Sequence, residues 1–335
     1  MEILSRVHAR HLVEWAKDRP DVLVLSADLT SSTEIDLFRD AYPDRFLSMG
    51  IAEQNMLSFA GGLARQGFTP LIHTFAVFIY RRALDQIAMS VAYPNLPVKM
   101  FGFLPGITTP GGATHQAIED IAVMRALPNM TVLEAGDATD VKSVLDAAYG
   151  VPGPVYVRML RGEIPRLFDE TNPLRVGEAR VISRGTDITL LSSGICTEEA
   201  MRAAKALAAK GASIEHLHVT TLKPFDDPRV LDSIAKAGRG VITMENHTVI
   251  GGLGTAVAEL IAAHGLAKRL VKLGLKDTFA HGASLPYLKK EYGLDAMSLV
   301  RAVETLLDAR FAVTESDLAG IYLAPVHSAA KAEAL

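Results

Sequence analysis

Five short stretches of the 335-residue chain hold residue types that could do chemistry together. GIAEQNM (residues 50–56) sets an acid, Glu53, at what reads as a helix start. HTFAVFIYRRALDQI (73–87) brings two aromatic side chains, Phe75 and Phe78, close together in sequence. PGITTPGGATHQ (105–116) places His115 after a glycine-rich loop, VRMLRG (157–162) carries Arg158 and Arg161, and SADLTSS (26–32) supplies Asp28. An acid beside an apolar aromatic wall can exchange a proton with a flat heterocycle. A histidine can donate to an oxyanion, and an arginine after a strand suits a phosphate. Each has a plainer reading: a solvated Glu53 at a helix end, two phenylalanines in the core, His115 as a helix cap, Arg158 paired with a surface acid.

These residues need elements to hold them. DVLVLSADL reads as a buried strand ending at Asp28, TPLIHTF, LPVKMFGF, MTVLEAG and GPVYVRML as further strands. Between them lie helical patterns at 53–66, FIYRRALDQIAMSVAY, ATHQAIEDIAVMRAL and DATDVKSVLDAAYG. Strands alternating with helices across short loops predict a parallel, doubly wound sheet. Four of the stretches then fall at loops following strands, and VRMLRG ends the last strand, at the carboxyl edge where such sheets bind ligands. RGEIPRLFDETNPLRVGEARVISRG reads as a linker region, and a second α/β pattern follows: DITLLSSG, TEEAMRAAKALAAKG, SIEHLHVTTL, VLDSIAKAG, GVITMEN, TAVAELIAAHG and RLVKLGL. The expectation is a first domain over 1–165, a linker over 166–178, a smaller α/β domain over 179–315 and a tail over 316–335.

Composition narrows the class. With 49% hydrophobic and 21% charged residues the chain suits a globular protein with a large core, and its length suits two domains. A net charge of -4 gives no electrostatic case for nucleic acid or an anionic membrane. One cysteine, Cys196, cannot form an intramolecular disulfide and fits a reducing, cytoplasmic compartment. The N-terminus reads as an amphipathic helix, neither signal peptide nor membrane span.

Three patterns are set aside. ENHTVIGGLGTAVAEL has glycines between a strand and a helix, but in the order GGLG rather than GxGxxG, and a tight turn needs glycine anyway. AGDATD (135–140) lacks the second glycine of a metal-diphosphate motif, so Asp137 or Thr139 reads as a helix N-cap. His216 and His218 alternate on a strand and read as structural.

Together, GIAEQNMLSFAGGLA and ATHQAIEDIAVMRALPNM, in that order and separation, resemble the pyrimidine-binding domain of transketolase and its relatives. VITMENHTVIGGLGTAVAE is similar to the family's C-terminal domain, so the resemblance runs from about Ser5 to about Val303. It implies a mostly parallel pyrimidine-binding domain followed by a smaller transketolase C-terminal-type domain. It also implies thiamine diphosphate as cofactor and ketol transfer from a ketose to an aldose. A full-length transketolase carries an N-terminal diphosphate-binding domain before these two, so the chain resembles the second subunit of a split transketolase. The expected partners are an N-terminal diphosphate-binding subunit, which would hold a divalent metal (Mg or Ca), and a second copy of this chain within an α2β2 assembly.

The resemblance assigns roles residue by residue. Glu53 would hydrogen-bond the cofactor's aminopyrimidine and favour the tautomer that takes up a proton. A first-turn position favours its carboxylate, whereas burial favours its acid. Phe75 and Phe78 would flank the pyrimidine, Ile51 is a further cofactor-binding position, Asp28 is an acid near the cofactor, and Arg81 stands where the family has an aromatic residue, with Tyr80 one place off. Arg6, Ser32 and Arg161 match positions that hold a sugar phosphate, and His115 one that contacts substrate oxygens. Phe103 replaces a phosphate-contacting histidine, and Gly111 replaces an acid that reads a substrate hydroxyl. The alternatives are a 2-oxo-acid dehydrogenase beta subunit, suggested by FIYRRALDQI, and a deoxyxylulose-phosphate-synthase-like enzyme, suggested by VRMLRG.

Overall fold

Apolar runs without alternation, such as VLVLS and TPLIHTF, must be buried on both faces. The computed structural model, which describes residues 2–319, places both inside a parallel sheet. The chain opens with β1 (Ile3–Ser5), α1 (Val7–Trp15), β2 (Val22–Ser26), α2 (Asp36–Ala41), β3 (Phe46–Ser48), α3 (Glu53–Arg65) and β4 (Thr69–Phe75). Next come α4 (Ala76–Gln86), β5 (Lys99–Phe103), α5 (Asp120–Ala126), β6 (Thr131–Glu134), α6 (Ala138–Tyr149), β7 (Val155–Met159) and β8 (Glu163–Pro165). The second half begins β9 (Arg180–Ser183), β10 (Ile188–Ser192), α7 (Cys196–Ala209), β11 (Ile214–His218), β12 (Thr221–Lys223) and α8 (Pro228–Lys236). It ends β13 (Gly240–Thr248), α9 (Leu253–Ala263), β14 (Leu270–Leu275), α10 (Leu285–Glu291), α11 (Ala296–Leu307) and α12 (Glu315–Ala319).

Two open sheets result, as the alternating pattern predicts. The first has the order β12-β6-β7-β5-β4-β2-β3, parallel except for β12. The second has the order β14-β13-β10-β11-β9, parallel except for the edge strand β9. In the first sheet the chain steps from β2 to β3 on one side, then returns to β4 on the other. The crevice between β2 and β4 is therefore a topological switch point, where ligands of such sheets bind. β1 pairs with β8, which brings the beginning of the first domain to its end.

Three elements differ from the sequence expectation. SIEHLHVTTL is two strands, not one: β11 belongs to the second sheet, while β12 crosses to the first and pairs antiparallel with β6. Lys223 on β12 donates to the carbonyls of Arg125 and Leu127, satisfying the open end of α5. The helix expected over ATHQAIEDIAVMRAL is only α5, because residues 113–119 are held in a loop by contacts outside it. The helical run FIYRRALDQIAMSVAY changes character: Ala83 has non-helical angles, and residues 87–92 form a π-helical turn.

Residues 166–178 are packed rather than free. Asp137, the predicted N-cap of α6, accepts from Asp140 N–H and also from the N–H groups of Leu167 and Phe168. Leu174 is buried, and its N–H donates to Ser143. The first residues of the tail expected over 316–335 lie in α12, whose Leu318 is buried; residues 320–335 lie outside the described residues. Among the described residues, no helix is long and apolar enough to cross a membrane.

Beneath the carboxyl edge of the first sheet lies a histidine pair. His8 on α1 and His73 on β4 bring their Nε2 atoms within 2.9 Å, one donating and the other accepting. Both are fully buried, and His73 stacks on Phe101 at 5.0 Å. Burial pushes His73 from 6.5 down to about 3 and pushes His8 well below its ordinary value. In the unfolded chain each binds a proton near pH 6.5; in the folded chain neither does until far lower pH. The stability present above pH 6.5 is therefore lost as pH falls toward 3. Each such histidine contributes a slope of up to roughly 1.4 kcal/mol per pH unit. Urea unfolding followed across that range should show the midpoint falling steadily with acid. His73→Phe should flatten the dependence, and a pH-independent midpoint in the parent would contradict the buried neutral pair.

Candidate active site

The turn after β3 is fixed by backbone contacts: Met49 N–H donates to Ser26 C=O, and Ala52 N–H to Gly50 C=O, with Gly50 at a φ of 68°. That turn delivers Glu53 as the first residue of α3, buried at 3% exposure, whereas Ile51 two residues earlier is 73% exposed. The N-cap residue, Ala52, has no side-chain acceptor, so Glu53 provides the only acid of the first turn. Its Oε1 accepts from Arg82 Nη1 at 2.8 Å. Arg82 was not singled out in the sequence, although it stands four residues after Phe78 and so shares its helix face. Its guanidinium carbon lies 4.0 Å from the Phe78 ring centroid.

Phe75 closes β4 and Phe78 follows on the first turn of α4. Their rings stack at 5.8 Å and 29°. His115 meets both edge-on, at 6.4 Å from Phe75 and 5.4 Å from Phe78. The loop carrying His115 thus reaches the aromatic pair. His115 does not cap a helix; it sits in a turn with its N–H on Gly112 C=O and Nδ1 2.9 Å from Thr114 Oγ1. A Cβ at Gly111 would stand 2.9 Å from the His115 Cβ, which leaves no room for a side chain in place of that glycine. Phe75 itself is nearly without exposed surface, so it backs the half-buried Phe78 rather than forming an open wall.

Arg6, Ser32 and Arg161 also come together. Arg161 Nη1 donates to Ser32 C=O at 3.0 Å, its guanidinium lies 5.8 Å from the Phe75 ring, and Arg6 N–H donates to Gly162 C=O. Arg6 adopts a left-handed conformation ahead of α1 and pairs with Asp36. Glu34 accepts from Gly162 N–H at 2.7 Å, and burial pushes its carboxyl up. Burial also lowers the Arg161 guanidinium from its ordinary value. Asp28 is exposed after β2, in a left-handed conformation at a φ of 62°.

Three expectations need correction. Phe103, expected beside a substrate phosphate, has no accessible surface and lies edge-on to His8 at 5.5 Å, inside the core. Arg81, expected to flank a cofactor ring, instead binds both oxygens of Glu119 and the carbonyls of Ala113 and Gln116. Tyr80 beside it is buried. Arg158, read as a partner of a surface acid, is fully buried: its Nε donates to Asp120 at 2.9 Å and its Nη1 to Glu134 at 2.5 Å.

The patterns set aside in the sequence find structural roles. Glu245 accepts from the N–H groups of Leu253 and Gly254, so a carboxylate of β13 already fills the start of α9 behind the GGLG turn. Burial pushes Glu245 up to about 7. His216 bonds Ser192, and His218 bridges Thr197 and Asp140. Cys196 is buried, and burial pushes its thiol up. Among the described residues, no three His, Cys, Asp or Glu side chains cluster as a metal site would require.

Comparison with known proteins follows the same division of the chain. Residues 4–166 match the pyrimidine-binding domain family of transketolase, and residues 177–299 its C-terminal domain family. The 6-deoxy-6-sulfo-D-fructose transketolase subunit of a Clostridium species (strain MSTE9) is 39% identical over 300 residues, covering 89% of this chain and 92% of that one. A solved structure described as a split gene transketolase, inactive beta4 tetramer, matches with a TM-score of 0.82 at 39% identity, covering 90% of this chain and 97% of that one. The 1-deoxy-D-xylulose-5-phosphate synthase of Symbiobacterium thermophilum is 35% identical over 90% of this chain, which spans only 47% of that protein.

The Arg158 network sets a measurable demand on stability. Arg158→Met removes the cation and leaves Asp120 and Glu134 buried without it, a loss worth about 3–5 kcal/mol. Urea denaturation should report that loss near neutral pH. A change below about 1 kcal/mol, the usual range of an exposed pair, would show that the two acids do not depend on the guanidinium.

Proposed function

The chain belongs to the transketolase family, and from that premise we propose that it is the pyrimidine-binding half of a two-chain, thiamine diphosphate-dependent transketolase. The reaction is transfer of a two-carbon ketol unit from a ketose bearing a terminal anion to an aldose acceptor. One observation carries the reading: Glu53 is buried at the first turn of α3, at the switch-point edge of the sheet, next to the Phe75–Phe78–His115 cluster.

These residues fit the cofactor's pyrimidine half. A buried carboxylate whose present partner is a partly exposed arginine can accept a ring N–H instead, and Phe78 offers a half-buried apolar face to a flat ring. When bound, thiamine diphosphate supplies the nucleophilic carbon and the electron sink for cleavage beside a carbonyl. Glu53 holds the proton on the pyrimidine nitrogen, and the low polarity around it makes that hydrogen bond strong. Phe75 fixes Phe78, and the pair excludes water from one side of the ring. His115, held edge-on to Phe78, reaches substrate oxygens as a donor. Arg6 and Arg161 bind the far end of the sugar, where planar guanidinium forks suit a tetrahedral oxyanion.

Our reading of that anion is a phosphate; a sulfonate has the same tetrahedral oxygens, and the Clostridium relative is named for a sulfosugar. The deoxyxylulose-phosphate-synthase reading draws on a relative of which this chain spans half, and the 2-oxo-acid dehydrogenase reading on one helix alone; both are weaker. Partner dependence is supported by the relative named as a subunit and by the split-gene beta4 tetramer described as inactive. The partner chain would contribute the diphosphate and metal site, and two copies of this chain would join two of the partner.

Purified alone, the chain should neither hold thiamine diphosphate tightly nor turn over, and a diphosphate-binding partner chain should restore both. Full activity of the isolated chain would sink the proposal. Glu53→Gln keeps an acceptor for Arg82 and should keep assembly intact while ketol transfer falls on the order of a hundredfold or more. Near-normal turnover in that variant would remove Glu53 from its role. Donor specificity can be read with a panel of phosphorylated, sulfonated and uncharged ketoses; strict preference for uncharged donors would contradict Arg6 and Arg161.

A further inference from the structure

Arg81 and Arg82 are consecutive on α4, yet they serve different partners. Arg82 holds Glu53, whereas Arg81 reaches away to the loop before α5. Its Nη1 donates to Ala113 C=O at 2.8 Å and its Nη2 to Gln116 C=O at 3.4 Å. Nε and Nη2 also grip Glu119, at 2.9 Å and 2.7 Å to Oε1 and 2.9 Å to Oε2. The two carbonyls bracket Thr114 and His115, so one planar side chain ties the loop on both sides of the histidine. We propose that Arg81 is a positioning residue for His115, acting on substrate through that loop rather than on the cofactor.

The loop needs such a tie. Between Leu104 and Glu119 it contains Gly106, Gly111 and Gly112, which leave the backbone soft, and the backbone N–H groups of His115 and Gln116 both donate to one acceptor, Gly112 C=O. The opposite side is braced by the second domain: Gln116 Nε2 donates to His281 C=O at 3.2 Å, and Gly112 packs close to Gly282. Arg81 closes the other side, and the His115 ring is left 5.4 Å from Phe78. Every nitrogen of the guanidinium is engaged in this task. Lysine could hold Glu119 but could not span three acceptors, because an ammonium is a point and not a fork. The clamp deepens the ketol-transfer reading and relies on it only for the task of His115.

The test compares Arg81→Ala, Arg81→Lys and Glu119→Gln with the parent chain. Hydrogen–deuterium exchange of the isolated chain should rise by about tenfold over residues 111–119 in Arg81→Ala, with α3 unchanged. With the partner chain, KM for the ketose donor should rise by roughly tenfold, kcat should fall less, and thiamine diphosphate affinity should move by less than about threefold. Arg81→Lys should recover only part of the donor KM, and Glu119→Gln, which keeps the carbonyl contacts, should recover most of it. Unchanged exchange, an unchanged donor KM, or cofactor affinity falling as far as donor affinity would each overturn the clamp. If the parent with its partner showed no ketol transfer, the functional reading would fail, while the exchange comparison would still decide whether Arg81 fixes the loop.

Discussion

Arg158 has no exposed surface, and a guanidinium without water must find its hydrogen-bond acceptors inside the protein. From β7 it reaches Asp120 at the start of α5, Glu134 at the end of β6, and two carbonyls, those of Ala117 and Asn246. Tyr156, two residues earlier on the same strand, donates to the same Asp120. The plane of the fork fixes the directions of all these partners at once. Moving the loop before α5, or lifting the second domain from the first, would strip acceptors from a buried cation at a cost of several kcal/mol. The position of His115 rests on that arrangement, because Ala117 lies two residues further along the same loop.

Asn246 extends the same seam from the other domain. Its side chain accepts from Ile107 N–H and donates to Pro105 C=O, so it satisfies backbone groups at the glycine-rich loop's entry. Gly106 between them has a φ of 58°, and a Cβ there would fall 2.2 Å from the Asn246 Oδ1. Only glycine permits that approach. Together with β12, which leaves the second domain to complete the first sheet, this makes the seam an extension of the core. The C-terminal domain is accordingly part of what shapes the site, through Asn246 at one end of the loop and His281 at the other.

Periodicity made most of the fold legible, since strand and helix runs of the predicted lengths bury themselves where alternation or its absence demands. It failed where a residue's fate was set by a distant partner. SIEHLHVTTL is one apolar run, but nothing local says that Thr221 pairs with Leu133 in the other sheet. Residues 113–119 have helix-forming side chains, and contacts to Arg81 and His281 hold them in a loop. At the site, Glu53, Phe75, Phe78 and His115 were readable because each ends or follows a strand, and a parallel sheet gathers such positions onto one edge. Arg82 was within reach of the same logic through its i,i+4 spacing from Phe78. Phe103 was misread because its last-strand position resembles the others, while its side chain points to the His8–His73 pair beneath the edge.

Two of the first domain's arginine–carboxylate systems, those of Arg158 and Arg82, are built to opposite ends, and exposure decides which is which. Arg158 and its acids are dry, so their pairing cannot be exchanged without leaving a charge unsolvated. Arg82 is 44% exposed while its partner Glu53 is only 3% exposed. If that guanidinium turns outward, water re-solvates it and the change costs roughly what a surface pair is worth, about 0–1 kcal/mol. The cost falls on Glu53, which then needs another donor inside the site. A carboxylate held this way stays paired until a better-placed N–H arrives. That asymmetry leaves Glu53 free to change its partner, and a fully buried partner such as Arg158 could not provide it.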